Sequence, residues 1–156
     1  MDAILTNMTI ETARIADQLR RSCSGPAWHG PSLSELLEGV TEELAARRAV
    51  AGGHTIHELV LHITAWMRAA RERLTATAPI DLTLEEDWPP ADGPWSAALA
   101  NLGSEARALE EAVLLFPDER LDRRAPAHQP QSYYGLLHGV IQHNLYHAGQ
   151  IALLRK

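Results

Sequence analysis

Two histidines four residues apart, His143 and His147, fall on the apolar stripe of the last helical segment. Its inward positions read Leu136, Val140, His143, His147, Ile151 and Leu154. An unpaired polar group in a core costs on the order of a few kcal/mol, so two neighbouring imidazoles there need a shared reason. Residues i and i+4 of an α-helix lie ~40° apart around the axis and ~6 Å apart along it. Both rings can therefore converge on one ion, and neutral imidazole suits Zn, Ni, Fe and Cu alike. His62 is the candidate third donor, beside the stripe Leu59, Ile63 and Trp66 of an earlier helix. The alternative is structural: buried rings that donate to backbone carbonyls or hydrogen-bond Gln142, Asn144 or Tyr146.

The chain has eight histidines, and the other five suit the role less well. His57 is five residues from His62, a rotation of ~140° that turns it away, and His138 fails the same test against His143. His54 precedes a helix cap and approaches only from the rim. His128 sits in a loop between prolines, where solvation is expected. His29, in Trp28-His29-Gly30-Pro31, belongs to a turn that can fold over the mouth of a bundle. A surface role is expected for each of these five. Trp28, His29, Trp66, Asn144 and Tyr146 are the candidate pocket-lining residues.

The elements that must position these groups read as helices, since Ala, Leu, Glu and Arg dominate and strand-forming residues are sparse. Helix 1 is expected from about Asp2 to Ser22, with Ile4, Met8, Ile15 and Leu19 at helical spacing, stopped by Ser24-Gly25-Pro26. Ser32-Leu33-Ser34-Glu35 is a capping box opening a short helix through Val40, and Thr41-Glu42-Glu43 starts another turn or two. Thr55-Ile56-His57-Glu58 is a second box, for helix 2 from Ile56 to about Ala76. An acidic, proline-containing connection spans 79–93, with Glu85-Glu86-Asp87-Trp88-Pro89-Pro90 at its centre. A connection of that length leaves the direction of the next helix open. Helix 3 carries the heptad seam Leu99, Leu102, Ala106, Leu109, Val113 and Phe116 before Pro117. Ser132 is the expected N-cap of helix 4, which runs to the C-terminus. Four amphipathic helices with short extras between the first two predict an all-α four-helix bundle in a single domain.

Composition removes several function classes. The 156 residues suffice for one ordinary domain without staples. A net charge of −6 argues against gripping nucleic acid by phosphate neutralisation. The single cysteine, Cys23, excludes an internal disulfide and a multi-cysteine zinc site, and fits a reducing, cytoplasmic setting. The longest apolar run, Ala112 to Phe116, is far short of a membrane span. The N-terminus lacks the basic-then-apolar order of a signal peptide.

Two segments resemble a known family. Thr55-Ile56-His57-Glu58-Leu59-Val60-Leu61-His62-Ile63-Thr64-Ala65-Trp66 is similar to the second-helix motif of the DinB/YfiT-like superfamily. His138-Gly139-Val140-Ile141-Gln142-His143-Asn144-Leu145-Tyr146-His147-Ala148-Gly149-Gln150-Ile151 is similar to its fourth-helix motif, and Ala27-Trp28-His29-Gly30-Pro31-Ser32-Leu33 resembles a segment of one branch. The resemblance implies an up-down-down-up bundle, often a homodimer. It also implies one divalent ion held by one histidine of helix 2 and two of helix 4, which here are His62, His143 and His147. The family commonly has Asp where this chain has Asn144, a weaker base. Relatives include thiol S-transferases, a thiol-dependent isomerase and proposed hydrolases.

Three neutral imidazoles leave an ion its full charge and open positions for water or substrate. Such an ion, Zn or Ni by ligand type, lowers the pKa of a coordinated water toward ~7 or holds a thiol as thiolate. The expected function is a metal-dependent enzyme acting on a small molecule, with transfer of a low-molecular-weight thiol to an electrophile ahead of hydrolysis. The third reading is a non-catalytic, metal-stabilised interaction bundle. Cys23 is expected to be a packed thiol rather than a nucleophile.

Overall fold

The computed structural model describes residues 10–129 and 131–156. Among them the secondary structure is helical, with no strand beyond two isolated bridges. Helix α1 spans Glu11–Ser24, and the expected earlier turns with Ile4 and Met8 lie outside the described residues. It stops at Gly25, whose φ of +70° places it in the left-handed region, where a Cβ would also come within 3.1 Å of Glu35.

Helices α2 (Leu33–Leu37) and α3 (Glu42–Ala46) are the two short extras. The Glu35 carboxylate accepts from the Ser32 backbone N–H at 2.7 Å, as the capping box requires. Helix α4 (Ile56–Arg73) begins at the second box. Thr55 Oγ1 accepts from the Glu58 N–H at 3.1 Å, and the Glu58 carboxylate accepts from the Thr55 N–H at 2.8 Å. The acidic connection is not wholly irregular: a third capping box, Thr83 with Glu86, opens a one-turn helix α5, Leu84–Asp87. Helix α6 (Trp95–Leu114) follows Pro94, and a 3-10 turn covers Asp118–Arg120. Helix α7 (Tyr133–Leu154) is capped by Ser132, whose hydroxyl accepts from the Gly135 N–H at 3.0 Å.

The four long helices pack side by side. Helix α4 lies against α6 and α7, and α1 lies against the same two. Ile15 and Leu19 of α1, Leu59, Ile63 and Met67 of α4, Leu109 and Val113 of α6 and Leu137 and Ile151 of α7 fill the shared core. Several contacts identify neighbouring ends. Trp95 at the start of α6 packs edge-on against His57 near the start of α4, with ring centroids 5.4 Å apart. Arg71 near the end of α4 pairs with Glu105 of α6. Asp118, just beyond α6, caps α1: its carboxylate accepts from the Glu11 N–H at 2.7 Å and from the N–H and hydroxyl of Thr12 at 3.0 and 2.7 Å. The Arg47 guanidinium, ahead of α4, donates to the Leu154 carbonyl at the end of α7. No helix among the described residues is long and apolar enough to cross a membrane.

Candidate metal centre

Helix α4 turns His62, Trp66, Ala70 and Arg73 toward α7, because steps of three and four residues share one helical face. Helix α7 answers with Leu136, Val140, His143 and His147. The facing stripes bring His62, His143 and His147 together, and one nitrogen of each lies within 4.8 Å of the others. His143 Nε2 is 3.0 Å from His62 Nε2 and 3.1 Å from His147 Nε2. Two of these rings are deeply buried, His62 at 5% and His147 at 6% exposure.

The outer nitrogens show which way the lone pairs point. His62 Nδ1 lies 2.7 Å from the Asp87 backbone carbonyl and 3.1 Å from Asp87 Oδ1. Both oxygens can only accept, so in the neutral ring Nδ1 carries the proton and Nε2 is bare. His147 Nδ1 donates to Gln150 Oε1 at 2.6 Å, which leaves its Nε2 bare as well. His143 Nε2 faces both and has at most one proton to offer in the neutral ring, while its Nδ1 has no hydrogen-bond partner. At least one pair of lone pairs is thus opposed inside the protein. A cation at the centre removes the conflict. Bonds of ~2.1 Å at ~90–109° would separate donor nitrogens by ~3.0–3.4 Å, the spacing of the two closer pairs.

Electrostatics favours the ligating form. Burial, reinforced by the neighbouring His147 and His62, lowers the His143 pKa to about 4. Burial likewise pulls His147 below its ordinary value, against the Gln150 hydrogen bond. Both rings are neutral near pH 7, so an ion need not displace a proton from either.

Two participants come from the connection between α4 and α6, where periodicity had nothing to say. Asp87 accepts from the Trp66 indole N–H at 2.6 Å as well as from His62. Trp88 lies flat between His62 and His54, with centroid separations of 3.8 and 3.5 Å and interplanar angles of 6° and 7°. The Thr83–Glu86 capping box was the available signal. A tryptophan amid acids and prolines was the second.

The remaining candidates separate. Trp66 borders His143 at 5.8 Å between centroids, and exposed Tyr146 packs edge-on against His147 at 5.0 Å. Exposed Trp28 and His29 line a different cavity with Arg21, Ile141 and Leu145. Asn144 is buried and donates to Cys23 Sγ at 3.7 Å. That thiol also contacts Ser22, and burial pushes its pKa up, which keeps it protonated. His54 stays at the exposed rim and His128 pairs with Asp81 in its loop. The surface role expected for His57 needs correction: it turns away from His62 as its spacing requires, but into the core, 5% exposed against Trp95. His138 is half-buried beside Tyr134, its Nε2 unpartnered.

Packed long helices with converging imidazoles define a helical bundle able to hold a metal ion. A sequence model of the DinB superfamily matches residues 28–151, and the chain belongs to that superfamily. No curated protein and no solved structure gives a significant match.

Proposed function

We propose that the protein is a divalent-metal-dependent enzyme of the thiol S-transferase type, with His62, His143 and His147 holding one Zn or Ni ion. The observation that carries this reading is the convergence of three imidazole nitrogens, His143 Nε2 lying 3.0 and 3.1 Å from the other two, with lone pairs opposed in at least one pair, which an ion relieves. When bound, the ion supplies Lewis acidity at positions the three neutral imidazoles leave unfilled. Asp87 and Gln150 hold the outer protons of His62 and His147, and Trp88 shields the face of His62 from water. The thiol must come from a small molecule, since Cys23 is buried, protonated and bonded to Asn144. In the reaction the thiol sulfur bonds to an electrophilic carbon, the leaving group departs with its bonding pair and the thiol proton passes to solvent. Hydrolysis is the alternative chemistry for the same ion.

The burial of His62 and His147 favours a second reading, a non-catalytic, metal-stabilised bundle. We further infer an up-down-down-up arrangement, supported by the approach of the α4 and α6 starts and by the Asp118 cap on α1. The proposal extends to a cytoplasmic homodimer.

Metal analysis of purified protein tests the site. One ion per chain is expected in the wild type and none in His62→Ala or His147→Ala. Retention in either variant removes that residue from the ligand set. A panel of low-molecular-weight thiols with a halo-aromatic electrophile tests the chemistry. Ester or amide hydrolysis without conjugation would select the hydrolase, and no turnover with either would select the structural bundle. Light scattering during gel filtration reports the dimer.

A further inference from the structure

Beside the histidine trio, α4 and α7 border a cavity of about 220 Å³. Its wall runs from His143 past Trp66, Leu136 and Val140 to Gln131 and Arg73. Among the described residues no carboxylate lines it, and Arg73 is the one formally charged residue of the lining. That arginine is only 5% exposed, unusual for so polar a side chain. A second cavity of about 330 Å³ shares Trp66, Arg73, Gln131 and Leu136 with the first, so Arg73 borders both.

The guanidinium is incompletely matched by the protein. Of its five N–H donors, the Nε–H is taken by the Ile80 carbonyl at 2.8 Å. Asp81, which lines only the second cavity, stays 3.6 Å from the nearest guanidinium nitrogen and is shared with His128. The Trp66 ring supports the cation from 5.6 Å, with its own N–H committed to Asp87. Burial lowers the Arg73 pKa, which Asp81 opposes.

We propose that this cavity is a recognition subsite for the carboxylate of a small aromatic or apolar acid. The planar fork of Arg73 receives the carboxylate, and the apolar body lies along Trp66, Leu136 and Val140 toward His143. A guanidinium matches a carboxylate through two parallel hydrogen bonds, and such charge-assisted pairs are the stronger kind. A cavity lined by a cation favours the anion over its neutral isostere, which offers the guanidinium one uncharged acceptor in place of two charged oxygens. The volume falls below the ~300 Å³ at which ordinary ligand pockets begin. It suits a single-ring acid rather than a whole low-molecular-weight thiol. The subsite deepens the function proposed above and rests on it for the reacting end alone.

Benzoate and its neutral isostere benzamide are the probes, titrated calorimetrically into zinc-loaded and metal-stripped protein. Benzoate is expected to bind both forms, and Arg73→Met to weaken it at least ~10-fold in both. Benzamide is expected to bind the wild type no better than it binds Arg73→Met. Gly139→Leu provides a second arm. A Cβ there meets no atom within 4 Å, and the glycine borders the same cavity. That side chain is expected to fill the space and abolish benzoate binding while thermal stability is kept, and it decides the matter if Arg73→Met does not fold. Absence of benzoate binding to the wild type, or binding insensitive to both variants, overturns the subsite. So does binding confined to the zinc-loaded form, which would mean a carboxylate on the ion alone. Arg73-dependent binding in a protein that takes up no metal would leave the subsite standing and remove the ion.

Discussion

Two bare nitrogens at 3.0–3.1 Å repel unless a proton or a cation lies between them, and outer hydrogen bonds fix the His62 and His147 rings beside His143, whose neutral ring can offer a proton to only one of the two. Asp87 is therefore worth testing separately from the ligands. Outer partners of metal-bound histidines contribute ~10–100-fold in affinity. Asp87→Ala keeps the main-chain carbonyl on His62 Nδ1 but removes the carboxylate 3.1 Å from that nitrogen and the acceptor of the Trp66 indole. A loss near the ~10-fold end of that range is therefore expected in competition with a chromophoric chelator, whereas Asp87→Asn, which keeps an acceptor oxygen, should recover most of it. The second residue-scale prediction concerns pH. His143 has a pKa of about 4 when folded, against about 6.5 unfolded. Between those values the unfolded chain binds more protons, so the metal-free protein should lose stability as pH falls from 6.5 toward 4. The His143 contribution to the slope falls to about half at pH 6.5 and is nearly gone by about pH 7.5. Denaturant unfolding of the metal-free wild type and His143→Phe over this range would show a shallower slope in the variant. The three converging histidines were legible in the sequence, because an imidazole on an apolar stripe contradicts its neighbours. Asp87 and Trp88 were not, since an acid and an aromatic in a connection contradict nothing.

Helix ends in this protein are tied by side chains from other parts of the chain as well as by their own. The caps at Thr55 and Ser132 follow from local sequence, because an N-cap hydroxyl needs only the N–H groups of the next turn. The cap of α1 is different, since its acceptor, Asp118, follows α6. Desolvation works against the charged form of Asp118, but hydrogen bonds from Thr12 and Glu11 outweigh it and hold its pKa below the ordinary range. Asp118→Ala should cost about 1–2 kcal/mol, read as a lower denaturant midpoint at unchanged m-value. Helix α5 shows the limit of the same reasoning. Its capping box is as local as that of α4, yet a single turn with no buried residue carries no periodicity. Its importance comes from what it touches.

At the scale of the whole molecule, an ion bound between α4 and α7 links two of the four long helices and should stabilise the fold by mass action. With free metal at 100 times its dissociation constant the gain is ~2.7 kcal/mol. For a chain of this size that corresponds to roughly 5–10 °C in Tm. Chelation should lower the calorimetric midpoint of the wild type by that amount and leave His143→Ala unmoved. The net charge of −6 pointed away from nucleic acid without indicating a ligand. Arg73, a buried and incompletely paired cation, is what gives the cavity beside His143 its proposed chemical preference. Sequence alone determined the helical class, the caps of α4 and α7 and the inward placement of three histidines. All of these depend on hydrogen bonds and periodicity within a few turns of one helix. Tertiary structure decided that Asp87 and Trp88 close over His62, that His57 enters the core and that Arg73 faces a cavity without an acid. These depend on which distant segments share a space, and packing of the complete core sets that relation.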